Sequence, residues 1–157
     1  MCIRDSTKET PQEVTTRPEA ERFLDFPGDE AGTSTATLRF TPESTRVYAE
    51  ASGDKNPIHV SKVGAKLFGF PATIAHGMYT HARMLSVLEG VLSGATRITA
   101  DFYKPVILPA TTGVYVDQSG ADSGDNAGVR GGTRTVTLRK AKDPSTLHVA
   151  ARVEPLA

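Results

Sequence analysis

Residues 51–59 read ASGDKNPIH. Asp54, Asn56 and His59 stand together there, around one proline. Ser-Gly-Asp-x-Asn-Pro is turn chemistry in its own right, because short polar side chains bond the local backbone. A turn has no need of the histidine. A carboxylate and an imidazole on one short loop can face one water. The imidazole then serves as general base, and the acid orients the water or shuttles the second proton. Residues 74–78, IAHGM, hold a second candidate group. Gly77 falls at the start of an apolar helix, where free N–H groups and the positive dipole end gather. That position suits a developing oxyanion, and glycine lets a carbonyl approach the backbone. Alone, His76 and Gly77 read as an ordinary helix entry. Beside a proton-transfer loop they complete a set.

The elements around these groups can be read from pattern. Residues 33–40, TSTATLRF, predict a first strand. Thr41 reads as an N-cap, with Pro42 at the first helical position, Glu43 in the first turn and Gly53 as the stop. Val47, Tyr48 and Ala51 fall at helical spacing within that segment. DKNPIH reads as a loop, with Asn56 biased to extended backbone by Pro57. Residues 61–69 predict a short helix with Val63, Leu67 and Phe68 on one side and a glycine at its end.

Residues 76–92 predict the strongest helix. Met78, Ala82, Met84, Leu85, Val87, Leu88, Val91 and Leu92 cover more than half its circumference. Tyr79, Arg83 and Ser86 form the narrow polar stripe. A helix so widely apolar is expected to be buried on most sides. After Gly94 the pattern alternates. ATRITADFY, TTGVYVDQ, VRGGTRTVTLRK and STLHVAARV predict strands. The polar stretch SGADSGDNAG reads as a turn, and Pro105 and Pro109 bracket VIL. Helices followed by a meander of about four strands predict an α+β fold. The expected form is a curved antiparallel sheet wrapped around one long central helix.

Length and composition bound the function. The 157 residues fit one domain with a real core. Lys+Arg and Asp+Glu both number 18, and zero net charge argues against nucleic acid as a partner. No apolar run approaches the roughly 20 residues of a membrane helix, and MCIRDSTKET has no signal-peptide character. One cysteine, Cys2, permits no disulfide within the chain and makes the cytoplasm the default compartment. Residues 1–32 read as a mostly disordered arm, with FLDF as a docking segment. Residues 1–6 read as a cloning or assembly scar, which would leave the chain a fragment of something longer. Residues 33–157 form the expected folded domain.

ASGDKNPIH followed by AHGM resembles the MaoC-like family of R-specific enoyl-CoA hydratases and 3-hydroxyacyl-thioester dehydratases. The family's motif, roughly Ser-Gly-Asp-x-Asn-Pro-aliphatic-His, is matched throughout residues 52–59. GFPATIAHGM and FYKPVILPA also look like family segments, so the resemblance covers roughly residues 33–154. It implies the hot-dog fold. Residue by residue, it implies Asp54 and His59 as the catalytic pair, Asn56 as a loop-orienting residue and Gly77 as the N–H donor to the thioester carbonyl. His76, Met78 and His81 are placed beside them as substrate-binding or loop-orienting residues. The implied reaction is reversible syn addition of water to a trans-2-enoyl thioester, giving a 3-hydroxyacyl thioester, in fatty-acid metabolism. It implies no metal or redox cofactor; coenzyme A or phosphopantetheine enters as part of the substrate. Some members carry a serine deeper in the central helix; here that region offers Leu85 and Ser86, and no role is assigned. The strands and tail also resemble the C-terminal half of double-hot-dog dehydratases. A second copy of the chain would then replace the missing half. Hot-dog domains usually pair, so a homodimer is expected, acting on acyl-CoA or acyl carrier protein thioesters.

The same residues admit other readings. His76 and His81 are five apart, about 140° around a helix, and cannot chelate a metal as an i, i+4 pair does. His81 is expected as a core or tunnel-lining residue and His148 as a structural one. A non-catalytic subunit that binds acyl chains would be expected to have lost Asp54 or His59, and both are present. A hot-dog thioesterase places its acid on the central helix, which here offers only Glu89 near its far end. Lys55, Lys62, Lys66, Arg83, Arg97 and Lys104 could meet coenzyme A phosphates or an acidic carrier, although scattered cations are usually solvated surface.

Overall fold

A computed structural model describes residues 33–90, 92, 94–117 and 133–156. The expected N-terminal arm, the scar at residues 1–6 and the SGADSGDNAG turn lie outside the described residues. Thr41 caps the first helix as its sequence predicts. Its hydroxyl accepts from the Ser44 N–H at 3.1 Å, and the Ser44 hydroxyl accepts from the Thr41 N–H at 3.1 Å. This reciprocal pair joins strand β1 (Ala36–Phe40) to helix α1 (Pro42–Ser52). Gly53 ends α1 at φ 75, a left-handed conformation that glycine adopts without a Cβ clash. The buried face of α1 is Thr45 and Ala49, whereas Val47 is 63% exposed and Ala51 faces out. Small side chains let the helix approach the body closely, and this decides its rotation over apolar content.

DKNPIH is more ordered than a loop. Pro57–Val60 forms a helical turn, α2, with Asn56 as its cap. Asn56 and Pro57 are a cap and a first-turn proline in miniature. Helix α3 (Lys62–Leu67) follows, capped by Ser61. Its expected apolar side faces out: Val63 is 78%, Leu67 85% and Phe68 64% exposed. The helix docks instead through Gly64 and Ala65. A Cβ on Gly64 would lie 2.6 Å from the Pro57 Cβ and 2.9 Å from its carbonyl oxygen.

The central helix is shorter than residues 76–92. It runs as α4 (Gly77–Leu85) and tightens into a 3₁₀ turn, Ser86–Leu88. Ser86 explains the change. Its hydroxyl donates to the Arg83 carbonyl at 2.8 Å, a back-bond that competes with the helical ladder. Glu89 then turns extended and Gly90 takes φ 79. The buried residues are Tyr79, Thr80, Met84 and Leu88, while Met78 is 53% exposed and Ala82 faces out. Tyr79, placed by its polarity on the outer stripe, turns inward to stack on Tyr48 at 5.0 Å. In a single chain the helix is therefore buried on one side only.

Strands β2 (Thr96–Phe102), β3 (Ala110–Asp117), β4 (Arg134–Lys140) and β5 (Asp143–Pro155) complete an antiparallel sheet. The spatial order is β1-β3-β4-β5-β2. Only β3, β4 and β5 form a meander. Strand β2 sits at the far edge beside β5, and the chain crosses back through residues 103–109 to set β3 against β1. Val106 and Leu108 anchor this crossing: the Ala75 N–H donates to Val106 at 2.9 Å and the Leu108 N–H to Thr73 at 2.8 Å. Inward residues of β1, β3, β4 and β5 share one core with α4. Phe40, Val114, Val136, Leu138 and Val149 pack with Met84 and Leu88 in one core. This is the expected α+β, hot-dog arrangement of one antiparallel sheet on a central helix.

Candidate active site

Helix α2 presents His59 and the loop before it presents Asp54. The loop is built from local bonds. The Asn56 N–H donates to Asp54 Oδ1 at 3.2 Å, the Ile58 N–H to Asn56 Oδ1 at 3.3 Å and the His59 N–H to the Asn56 carbonyl at 3.0 Å. Asn56 thus orients the turn, as its position in the motif implies. His59 is 9% exposed. Its Nδ1 lies 2.8 Å from the Ile74 carbonyl oxygen. A carbonyl only accepts, so Nδ1 carries the proton and Nε2 is left with its lone pair. The Ile74 N–H returns a bond to the Ile58 carbonyl at 3.1 Å, tying α2 to the segment that enters α4.

His76 is packed face to face on His59, with ring centroids 3.7 Å apart and planes 26° from parallel. Its Nε2–H donates to the Asp54 carbonyl at 2.9 Å and stands 4.0 Å from Asp54 Oδ2. His76 therefore clamps the acid loop onto the helix entry. Tyr48 lies 5.0 Å from the His76 ring on its own account. His76 Nδ1 is buried with no partner among the described residues. Burial is the main cause that holds the His59 pKa below the ordinary histidine value. The Ile74 bond opposes it, nearby His76 adds to it, and Asp54 opposes it last.

A cavity of about 330 Å³ brings His59 and Gly77 together, with Thr80, Phe102, Lys104 and His148 in its wall. Gly77 opens α4 and is the first of its N–H groups that the helix ladder leaves free. A Cβ there would come within 3.2 Å of the Phe102 ring. Asp54 is outside that lining and reaches the site beside His76. Met78 points away, half-exposed. His81 is half-buried, packs edge-on to Phe102 at 6.1 Å, and has its pKa lowered by burial. It is thus a packing histidine at the margin, and His148, read as purely structural, turns out to line the cavity.

Asp54, His59 and His76 each offer a ligand atom, all within 4.8 Å of one another. The histidines brought together are thus His59 and His76, not the His76 and His81 considered from spacing. Stacked rings direct their in-plane lone pairs side by side, whereas a tetrahedral metal needs them to converge. Sequence reasoning missed the Ile74 carbonyl, which fixes the tautomer, and Gly64, which seats α2. The first carries no side-chain signal. The second had one, a glycine inside a helical pattern.

The sequence model of the MaoC like domain matches residues 10–140. The 3-hydroxyacyl-thioester dehydratase X of Mycobacterium tuberculosis is 53% identical over 81 residues, which cover 52% of this chain and 29% of that protein. The fatty acid synthase subunit beta of Saccharomyces cerevisiae is 44% identical over 50 residues, covering 32% of this chain and 2% of that one. The crystal structure of HtdX from Mycobacterium tuberculosis matches with a TM-score of 0.66 at 43% identity, over 78% of this chain and 48% of that chain. The R-hydratase PhaJ1 of Pseudomonas aeruginosa shares the fold, with a TM-score of 0.59 at 22% identity over 82% of this chain and 83% of that chain. The chain thus spans about half of the HtdX structure and under a third of dehydratase X.

Proposed function

The chain belongs to the MaoC-like family, and from that premise we propose that it catalyses the reversible hydration of trans-2-enoyl thioesters to (R)-3-hydroxyacyl thioesters in fatty-acid metabolism. The observation that carries this reading is the shared cavity of His59 and Gly77, with Nε2 of His59 left basic by the Ile74 bond. Nε2 takes a proton from water as its oxygen attacks C3. The C2–C3 electron pair moves toward the thioester oxygen, which the Gly77 N–H stabilises as an enolate. Asp54 and His59 then return a proton to C2. The same steps reversed expel water. Nothing in this sequence of steps calls for a metal or a redox cofactor; coenzyme A or phosphopantetheine arrives with the substrate. A cytoplasmic setting is part of the same proposal: residues 7–157 hold no cysteine and so no internal disulfide. Among the described residues, no helix is long and apolar enough to cross a membrane.

Because His59 works only as the neutral base, kcat/KM is expected to fall as pH drops through its pKa. Burial sets that pKa below the ordinary histidine value. Activity should therefore be flat near neutrality, with its acid limb displaced below that of a solvated histidine. A pH–rate profile checks the sign; an acid limb above the ordinary histidine value would contradict it. The reaction itself is tested by loss of enoyl-thioester absorbance with trans-2-enoyl-CoA of short, medium and long chain.

The proposed working unit is a homodimer. Strand β2 is an edge strand, and Phe102 is 50%, Met78 53% and Ile98 37% exposed on β2 and α4. An open edge flanked by apolar side chains suits pairing with a second hot-dog unit. Size-exclusion with mass detection should give twice the chain mass; a monomer alone would contradict it.

A further inference from the structure

A larger cavity, of about 670 Å³, opens beside the catalytic one. Arg39, Lys104, Lys140 and Lys142 converge on it, and no carboxylate lines it. The sheet assembles this group from distant positions. Arg39 on β1 pairs with Thr111 on β3, and the next β3 residue, Thr112, pairs with Lys140 on β4. Lys142 follows in the turn to β5, and Lys104 comes from the crossing after β2. Asp143 sits on the same turn, but its carboxylate is engaged by the Ser145 and Thr146 hydroxyls.

The two cavities adjoin. Lys104, Pro105 and His148 line both of them. His148 fixes the shared wall, where its Nδ1–H donates to the Lys104 carbonyl at 2.9 Å. Burial, then Lys140 and Lys104 nearby, lower its pKa, so the wall keeps a neutral imidazole among cations. Like charges gathered in one concave site repel one another and create a field that attracts an anion.

We propose that this basin binds the phosphate groups of coenzyme A and holds the nucleotide end of the substrate while its thioester reaches His59 and Gly77. The proposal rests on the hydratase reading for the reaction that follows, and on the basin alone for the anion. Lysines meet phosphates as point charges and Arg39 can grip one bidentately. Coenzyme A brings a diphosphate and a 3′-phosphate, whereas a carrier-linked phosphopantetheine brings a single phosphodiester. Four cations match the nucleotide better.

The test is calorimetric titration of free coenzyme A into the native chain and into a Lys140→Glu/Lys142→Glu variant. It is paired with turnover of a trans-2-enoyl-CoA and of the matching N-acetylcysteamine thioester, which has no phosphate. Thermal melts establish that the variant folds, and Lys140→Gln/Lys142→Gln takes its place if it does not. Affinity for coenzyme A should fall about tenfold, the size of two exposed charge contacts removed and reversed. The loss of kcat/KM on the coenzyme A ester should exceed that on the short thioester by a similar factor. Unchanged coenzyme A affinity, or equal losses on both esters, would overturn the proposal. Native protein that binds holo acyl carrier protein but no coenzyme A would overturn it in favour of carrier docking. Coenzyme A binding lost in the variant, with neither ester turned over by native protein, would uphold the basin and sink the hydratase reading.

Discussion

His59→Gln is expected to lower kcat on an enoyl thioester by about 10²–10⁴-fold, the usual worth of a positioned general base. Glutamine sets its amide near the position of Nε2 and gives up the Nδ1 bond to Ile74, while the bond from the Ile74 N–H to the Ile58 carbonyl still seats α2. What it lacks is a basic nitrogen in the position of Nε2. The KM should change little, because the lost interaction is with the attacking water. Steady-state kinetics on native and variant chains, with matched circular dichroism, separate the two effects. A loss of less than about fivefold in a folded variant is too small for general-base catalysis and would move the proton transfer elsewhere.

Gly64→Ala is expected to cost about 1–3 kcal/mol of stability and to slow catalysis as well. The added Cβ would fall 2.6 Å from the Pro57 Cβ and 2.9 Å from its carbonyl oxygen. One obstacle is backbone, so it cannot swing aside as the tip of a flexible side chain would. Either α3 lifts or α2 shifts, and α2 carries His59. Thr41→Ala is the comparator. It removes the oxygen that caps α1, at a cost of about 1 kcal/mol, and touches no group of the site. Melting temperatures should fall in both variants, and kcat at a temperature where both are folded should fall in Gly64→Ala alone. Equal kcat in the two would show that α2 is seated independently of Gly64.

The shape of the loop that carries the candidate pair was legible because its signal is local. Asp54, Asn56 and His59 lie within one turn, and Gly-Asp-x-Asn-Pro constrains its own backbone through side-chain bonds to near neighbours. The face of His76 against His59 was not legible, since those rings meet only when α2 docks on the entry to α4. The basic basin was hidden for the same reason. Arg39 and Lys140 are neighbours only through the register of β3, and of these cations sequence reading had singled out Lys104 alone. Apolar periodicity misled at three helices. It put Val47, Val63 and Met78 inward, but α1 and α3 dock through small residues and α4 leaves one face open. Periodicity counts apolar side chains; it does not weigh how closely two backbones can approach, nor whether a second chain covers the remaining face. The end of α4 coincides with the Ser86 hydroxyl's back-bond and with Gly90 at φ 79, neither of which an apolar count contains.

The central claim is that His59 and Gly77 act on one enoyl thioester. Its most direct test is the product formed by the native chain from trans-2-enoyl-CoA, identified by chiral chromatography of the hydrolysed acid. Loss of enoyl absorbance with formation of the (R)-3-hydroxy product, slowed about 10²–10⁴-fold in His59→Gln, is the predicted result. Folded, dimeric protein that yields the (S) product, or that hydrates neither coenzyme A nor carrier-protein esters, would contradict it.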